Sequence, residues 1–325
     1  MNILDIVEGK EVVDNTVREE CERFDPQLWT WGYEIEWGDI HRNLEIPKHL
    51  GSWDYCETDI VNLNGEYRGT ASDPKGLSPP VGGEINVRPT NSIQEQVDRI
   101  MEIHDFFVEN GDQPTSGIIN HGHAHVHVPG LKDNPAGLRN LMRYIKRNQH
   151  STMKHCYQFQ EIAGMAEKTY LKHDGGRIHP EWLLDNLIEH TTSFDEFLRI
   201  HCRGKDAFGK VSIRPFRYGV HTYAMKNSNT IEFRCFRSSV DRFEIESCFK
   251  FMEKFIDAAL NGGPDVEQII AENNFRFPPF DYDHEMAVSW RETYKGKDSN
   301  ILSKAEQEKM GLNKYGKARQ FWEAS

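Results

Sequence analysis

Four segments of the chain alternate polar and apolar residues at period two, and this constrains the fold more than any other feature. They are WGYEIEW (31–37), GGEINVRP (82–89), HAHVHV (123–128) and NTIEFRCF (229–236). Residues two apart on a strand share a face. Glu34 and Glu36 therefore oppose Tyr33, Ile35 and Trp37, while Glu84, Asn86 and Arg88 oppose Ile85 and Val87. His123, His125 and His127 oppose Ala124, Val126 and Val128; Glu232 and Arg234 oppose Ile231, Phe233 and Cys235. Each strand thus has one face fit for a core and one carrying carboxylates, imidazoles or guanidinium, the habit of antiparallel sheets packed on a single side.

Helices lie between these strands. NSIQEQVDRIMEIHDFFVENG opens on the capping-box pair Ser92 and Glu95, carries apolar residues at Ile93, Val97, Ile100 and Ile103 or Phe107, and stops at Gly111. A helical block begins near Asn134 and Pro135, and Ser193 with Glu196 opens its last helix. DRFEIESCFKFMEKFIDAALNGG places Phe243, Phe249, Met252, Ile256 and Leu260 toward a core and ends at a Gly pair. Strands and helices do not alternate regularly, which predicts an α+β fold with an antiparallel or mixed sheet. The expected organisation is an N-terminal segment (1–28), one main domain (29–280) with a helical insertion at about 134–208, and a charged C-terminal tail (281–325).

At 325 residues the chain can bury a substantial core. Its net charge of −12 argues against broad binding to nucleic acid or anionic membranes. No run approaches the roughly 18 apolar residues of a membrane helix, and the N-terminus lacks a secretory pattern. Six cysteines scattered without CxxC spacing fit reduced thiols, so a cytoplasmic location is expected.

The polar faces carry the chemistry. Solvent faces of sheets usually mix Lys, Thr, Ser and Glu, yet Lys is absent from all four. Lining one concave surface with Glu34, Glu36, Glu84, Glu232 and an imidazole is costly unless cations stand between the carboxylates. Hard oxygen donors in that number suit Mg²⁺, or Mn²⁺, more than zinc. Arg234 beside Glu232 would supply positive charge for a phosphate.

The motifs GYEIEW, GGEINVRP, HVHV and TIEFR, in that order over residues 30–240, resemble the signature of the amidoligase family, carboxylate–amine ligases related to glutamine synthetase and glutamate–cysteine ligase. The resemblance implies a glutamine-synthetase-like fold with a curved, mainly antiparallel sheet. It assigns Glu34 and Glu36 to paired metal-binding carboxylates, Glu84 and Glu232 to further metal ligands, and His125 and His127 to a strand whose first histidine approaches nucleotide phosphate or metal. Arg234 would contact the phosphoryl group or acid substrate, and Arg217 with Tyr218 matches a basic and aromatic pair. Asp59 resembles an acidic position used for the amine, the weakest of these matches. His123 stands where the family carries a small residue. The implied reaction is ATP- and Mg²⁺-dependent: a carboxylate substrate is phosphorylated, and an amine substrate attacks the acyl phosphate to give an amide. Such chemistry needs metal ions on the phosphates and donors on the transferring group, Arg234 and then Arg214 or Arg217, with Asp59 as a base for the amine.

Three other readings compete. A zinc-dependent hydrolase would use the His-x-His strand with an open water position. A non-catalytic binding protein could retain the ligase fold. GKDAFGKV (204–211) has Walker spacing, but Val211 replaces the Ser/Thr that touches Mg²⁺ and the segment precedes a strand, so it reads as a loop. Trp29, Trp31 and Trp37 read as core and rim aromatics.

Overall fold

The computed structural model describes residues 17–41, 44–54, 59–61, 67–70, 81–114, 121–156, 178–202 and 218–277. Each segment that alternates in the sequence is a strand. β1 (Thr30–His41), β5 (Val81–Thr90), β6 (His121–His127) and β8 (Ile231–Arg237) are joined by β2 (Gly51–Asp54) and β7 (Val220–His221) in one six-stranded sheet. Its order is β2-β5-β1-β6-β8-β7, and every neighbouring pair is antiparallel. β3 (Asp59–Val61) and β4 (Tyr67–Thr70) form a separate two-stranded ribbon.

Three helices cover the apolar side. α1 (Ile93–Glu109) packs on β5 and β1, α2 (Pro135–Cys156) reaches β8, and α5 (Arg242–Asp257) lies against β6 and α1. Between α2 and α5 come α3 (Glu181–His190) and α4 (Phe194–His201); α6 (Val266–Glu272) follows. The predicted caps form: Ser92 Oγ accepts from Glu95 N at 3.4 Å and Ser193 Oγ from Glu196 N at 3.2 Å. Gly111 follows α1 with φ +92°, a left-handed stop that costs glycine little.

The apolar residues of the strands meet those helices in one core. Trp31, Tyr33, Ile35, Trp37, Ile85, Ala124, Val126, Ile231 and Phe233 are buried with Val97, Ile100, Leu141, Ile145, Phe249 and Phe255. Trp29 belongs to the same core, and the Trp37 indole donates to the Ser239 carbonyl at 2.9 Å. The first helix of the block expected as an insertion packs into the core. Leu138, Leu141, Met142 and Ile145 of α2 are fully buried in the same cluster, so this helix completes the layer beneath the sheet.

Two corrections concern faces. Phe243, expected in the core, is 65 % exposed, because it lies in the first turn of α5, beside the Asp241 cap that accepts from its backbone N–H at 2.8 Å. The second is a β-bulge. Gly122 pairs with Phe236 and Ala124 with Phe233, so two residues of β8, Arg234 and Cys235, oppose His123 alone. The extra residue turns both Phe233 and Phe236 inward, where their rings stack at 6.1 Å. Strict alternation would have put Phe236 beside Arg234.

Among the described residues no helix is long and apolar enough to cross a membrane. The described cysteines are free thiols: Cys21, Cys156, Cys202, Cys235 and Cys248.

Phe249 is fully buried, edge-on to Trp31 and tilted against Tyr33, and so supports the central strand from below. Phe249→Ala is expected to cost about 3–5 kcal/mol, whereas Phe243→Ala should stay within about 0.5 kcal/mol. Urea denaturation of the two variants measures the contrast.

Candidate functional site

The register of the sheet assembles the polar face. Glu34 lies directly across from Asn86 on one side and His123 on the other; Glu36 is across from Glu84. One row further, His125 is flanked by Gly32 and Glu232, and Glu232 by His221. Gly32 leaves room beside the imidazole: a Cβ there would touch the His125 Cβ at 3.5 Å, an ordinary contact.

Glu34 divides its carboxylate between two histidines. Its Oε2 is 2.8 Å from His123 Nδ1 and its Oε1 is 3.2 Å from His125 Nε2. His123 Nε2 lies 3.8 Å from Glu36 Oε1, and Glu232 Oε1 lies 3.6 Å from His123 Nδ1. Arg234 forms a short ion pair with Glu232, and His221 Nε2 is 4.0 Å from the other Glu232 oxygen. Two sets of donor atoms come within 4.8 Å of one another: Glu34, Glu84 and His123, and Glu34, His125 and Glu232. The sets share Glu34.

Arg234 Nη1 is also 3.1 Å from His123 Nδ1. One ring nitrogen cannot donate to a carboxylate and accept from a guanidinium at once. The shorter, charge-assisted contact assigns the Nδ1 proton to Glu34, and Arg234 retains its pair with Glu232.

Burial alone would raise the carboxylates, and the surrounding positive groups reverse that effect. Glu34 is held well below the usual carboxylate range: burial opposes this, but hydrogen bonds from His123 and His125 outweigh it. Glu232 is likewise penalised by burial, yet the charges of Arg234, His123, His125 and His221 bring it down to about 2. His125 shifts the other way. Burial disfavours its charge, and the hydrogen bond and charge of Glu34 raise it above its ordinary value.

A second group of histidines extends from the β7 edge. His201 Nε2 meets Thr222 Oγ1 at 3.1 Å, and His179 stacks on Tyr218 at 3.8 Å. Burial and neighbouring imidazoles bring His201 down to about 3 and hold His179 far below its usual range, so both are neutral near pH 7.

The structure therefore gathers Glu34, Glu84, His125, Glu232 and Arg234 on one face, with Glu36 at the rim of the first donor set. His127 lies at the strand end with Nε2 held 2.9 Å from Asn229 Nδ2, and it belongs to neither set. The backbone of Asp59 runs in the β3–β4 ribbon beside β1 and β5. Arg214, Arg217, GKDAFGKV and the 281–325 tail lie outside the described residues. His123 and His221 are additions. Alternation already placed His123 on the correct face, whereas a two-residue strand such as β7 has no period to read. The chain matches no protein-family model, no curated protein and no solved structure.

The shifts fix a pH window for the metal-free protein. Glu34 and Glu232 are lowered on folding, so their stabilisation is complete above the ordinary 4.5 and is lost as pH falls, for Glu232 toward about 2. His125 is raised, so its contribution is complete below the ordinary 6.5 and is lost as pH rises through its higher folded value. In chelator, the stability gap between wild type and Glu232→Gln should therefore narrow as pH drops from 5 to 2.5, read from urea midpoints.

Proposed function

We propose that the polar face binds two divalent cations and that the protein is an ATP-dependent carboxylate–amine ligase, joining an acid to an amine through an acyl phosphate on a glutamine-synthetase-like sheet. The observation that carries this reading is the pair of donor sets sharing Glu34, with Arg234 beside them. Glu34, Glu36 and Glu232 expose only 26 %, 11 % and 9 % of their side chains, and Glu84 is equally buried. Four carboxylates, one guanidinium and the imidazoles of His123 and His125 are crowded together with little exposure, an arrangement costly to keep without charge balance. Metal ions would contribute to that balance and bind the phosphates of ATP.

The chain's own groups have separable tasks. Glu34, Glu84 and His123 would hold one cation, and Glu34, His125 and Glu232 the other. Arg234, anchored by Glu232, would place its guanidinium toward the transferring phosphoryl group. His127 is proposed to face the nucleotide, and Asp59 the amine. The substrates would be ATP, a carboxylic acid and an amine.

One observation favours a second reading. Each donor set contains an imidazole, which suits Mn²⁺ or zinc better than an all-oxygen Mg²⁺ site does. A zinc-dependent hydrolase would use the same residues.

Metal-free protein titrated with Mn²⁺ and followed by electron paramagnetic resonance is expected to take up two ions, and Glu34→Ala to lose both. With Mg²⁺ or Mn²⁺, ATP and pooled acids and amines, ADP release should accompany amide formation. Glu34→Ala and Glu232→Ala should reduce it by on the order of a hundredfold or more while circular dichroism stays unchanged. Stoichiometric, tightly held zinc with no ATP turnover would establish the hydrolase instead.

A further inference from the structure

The turn that leads into β8 touches His125 and His127 of β6, and its hydrogen bonds have only one consistent direction. Ser228 Oγ lies 2.9 Å from the Ala224 carbonyl, which can only accept, so the serine proton is committed there. Ser228 Oγ is also 2.6 Å from Thr230 Oγ1. With the serine proton spent, Thr230 must donate in that contact. The threonine proton is then committed as well, yet Thr230 Oγ1 is 2.9 Å from His125 Nδ1. Its remaining role is to accept, so Nδ1 carries a proton. The other nitrogen, Nε2, faces Glu34 at 3.2 Å within the second donor set.

We propose that Ser228 and Thr230 are positioning residues that fix His125 as the Nδ1–H tautomer, so that neutral His125 turns the Nε2 lone pair toward Glu34 and Glu232. This inference rests on the cation reading given above, and it goes beyond the ligands to the groups that make one of them competent. The alternative tautomer would donate Nε2–H to Glu34, a good hydrogen bond that removes the lone pair a cation needs. An oriented acceptor on the far nitrogen is the general device by which proteins select a ligating imidazole.

The turn is built for this placement. Asn229, between the two hydroxyl residues, has φ +61° and is the only described non-glycine residue with positive φ, a conformation asparagine tolerates better than most side chains. The left-handed step lets consecutive residues reach different histidines: Asn229 Nδ2 donates to His127 Nε2, and Thr230 turns to His125.

The test combines ¹⁵N–¹H correlation spectra of the metal-free protein, taken where His125 is neutral, with Mn²⁺ affinity by electron paramagnetic resonance. Wild type should show His125 with a pyridine-type Nε2. Thr230→Val should move the signal toward Nε2–H and weaken Mn²⁺ at the second site by about 10–100-fold. Thr230→Ser should restore both. Ser228→Ala changes an exposed residue and frees the Thr230 proton for the imidazole, so it should shift the tautomer partly without unfolding the chain. A wild-type Nε2–H tautomer, or a Thr230→Val variant with unaltered tautomer and affinity, overturns the proposal. A tautomer that responds to Thr230 in a protein that binds no Mn²⁺ supports the positioning role and overturns the cation reading instead.

Discussion

Glu34 is the group on which the polar face depends. It occupies the middle of the central strand, and its two oxygens are shared between His123 and His125, the side chains that define the two donor sets. A carboxylate at the sheet edge could relax into solvent; this one is bounded by β5 and β6 on either side. The histidines are therefore placed by the sheet register itself. What the helices contribute is rigidity from beneath, through Phe249 against Trp31 and Tyr33.

The electrostatics of the face are those of a site poised between two ways of balancing charge. Without metal, Arg234 and the imidazoles serve as counter-ions to Glu34 and Glu232, which stay ionised despite burial. A divalent cation would take over the same task and compete with protons for the same nitrogens. That competition makes donor geometry more informative than the number of acidic groups. Imidazoles locked on strands, with hydroxyl or carboxylate partners behind them, would restrict which ion could bind and where.

Much of this was legible in the sequence, for a definite reason. Alternation reports which side of a strand a residue occupies, so Glu34, Glu84, His125, Glu232 and Arg234 could be assigned to one face from four short segments. The same rule placed His123 correctly, and only the resemblance to amidoligases, where a small residue stands, drew attention away from it. Alternation says nothing about register between strands, so the sharing of Glu34 by two donor sets emerges only in three dimensions. It also failed where the backbone departs from it: at Phe236, turned inward by the bulge, and at Phe243, where helical periodicity was carried one turn too far toward the cap. His221 was hidden because a two-residue strand carries no periodic signal; Thr230 lies on the same side as Glu232 by alternation, but its place beside His125 depends on register, which alternation does not report.

The bulge opposite His123 has a consequence for how the chain tolerates change. Upstream of it, β8 presents Glu232 to the site and Phe233 to the core; downstream, Phe236 returns to the core although it is three residues on. The extra residue is thus a phase marker separating two reading frames on one strand. Deleting one residue between Phe233 and Phe236 would leave composition almost intact, yet loss of Arg234 would bring the Cys235 thiol to the place of the guanidinium. Loss of Cys235 would keep Arg234 and take away only the core thiol. The identity of the residue facing the site is thereby set by a count along the backbone as much as by its own side chain.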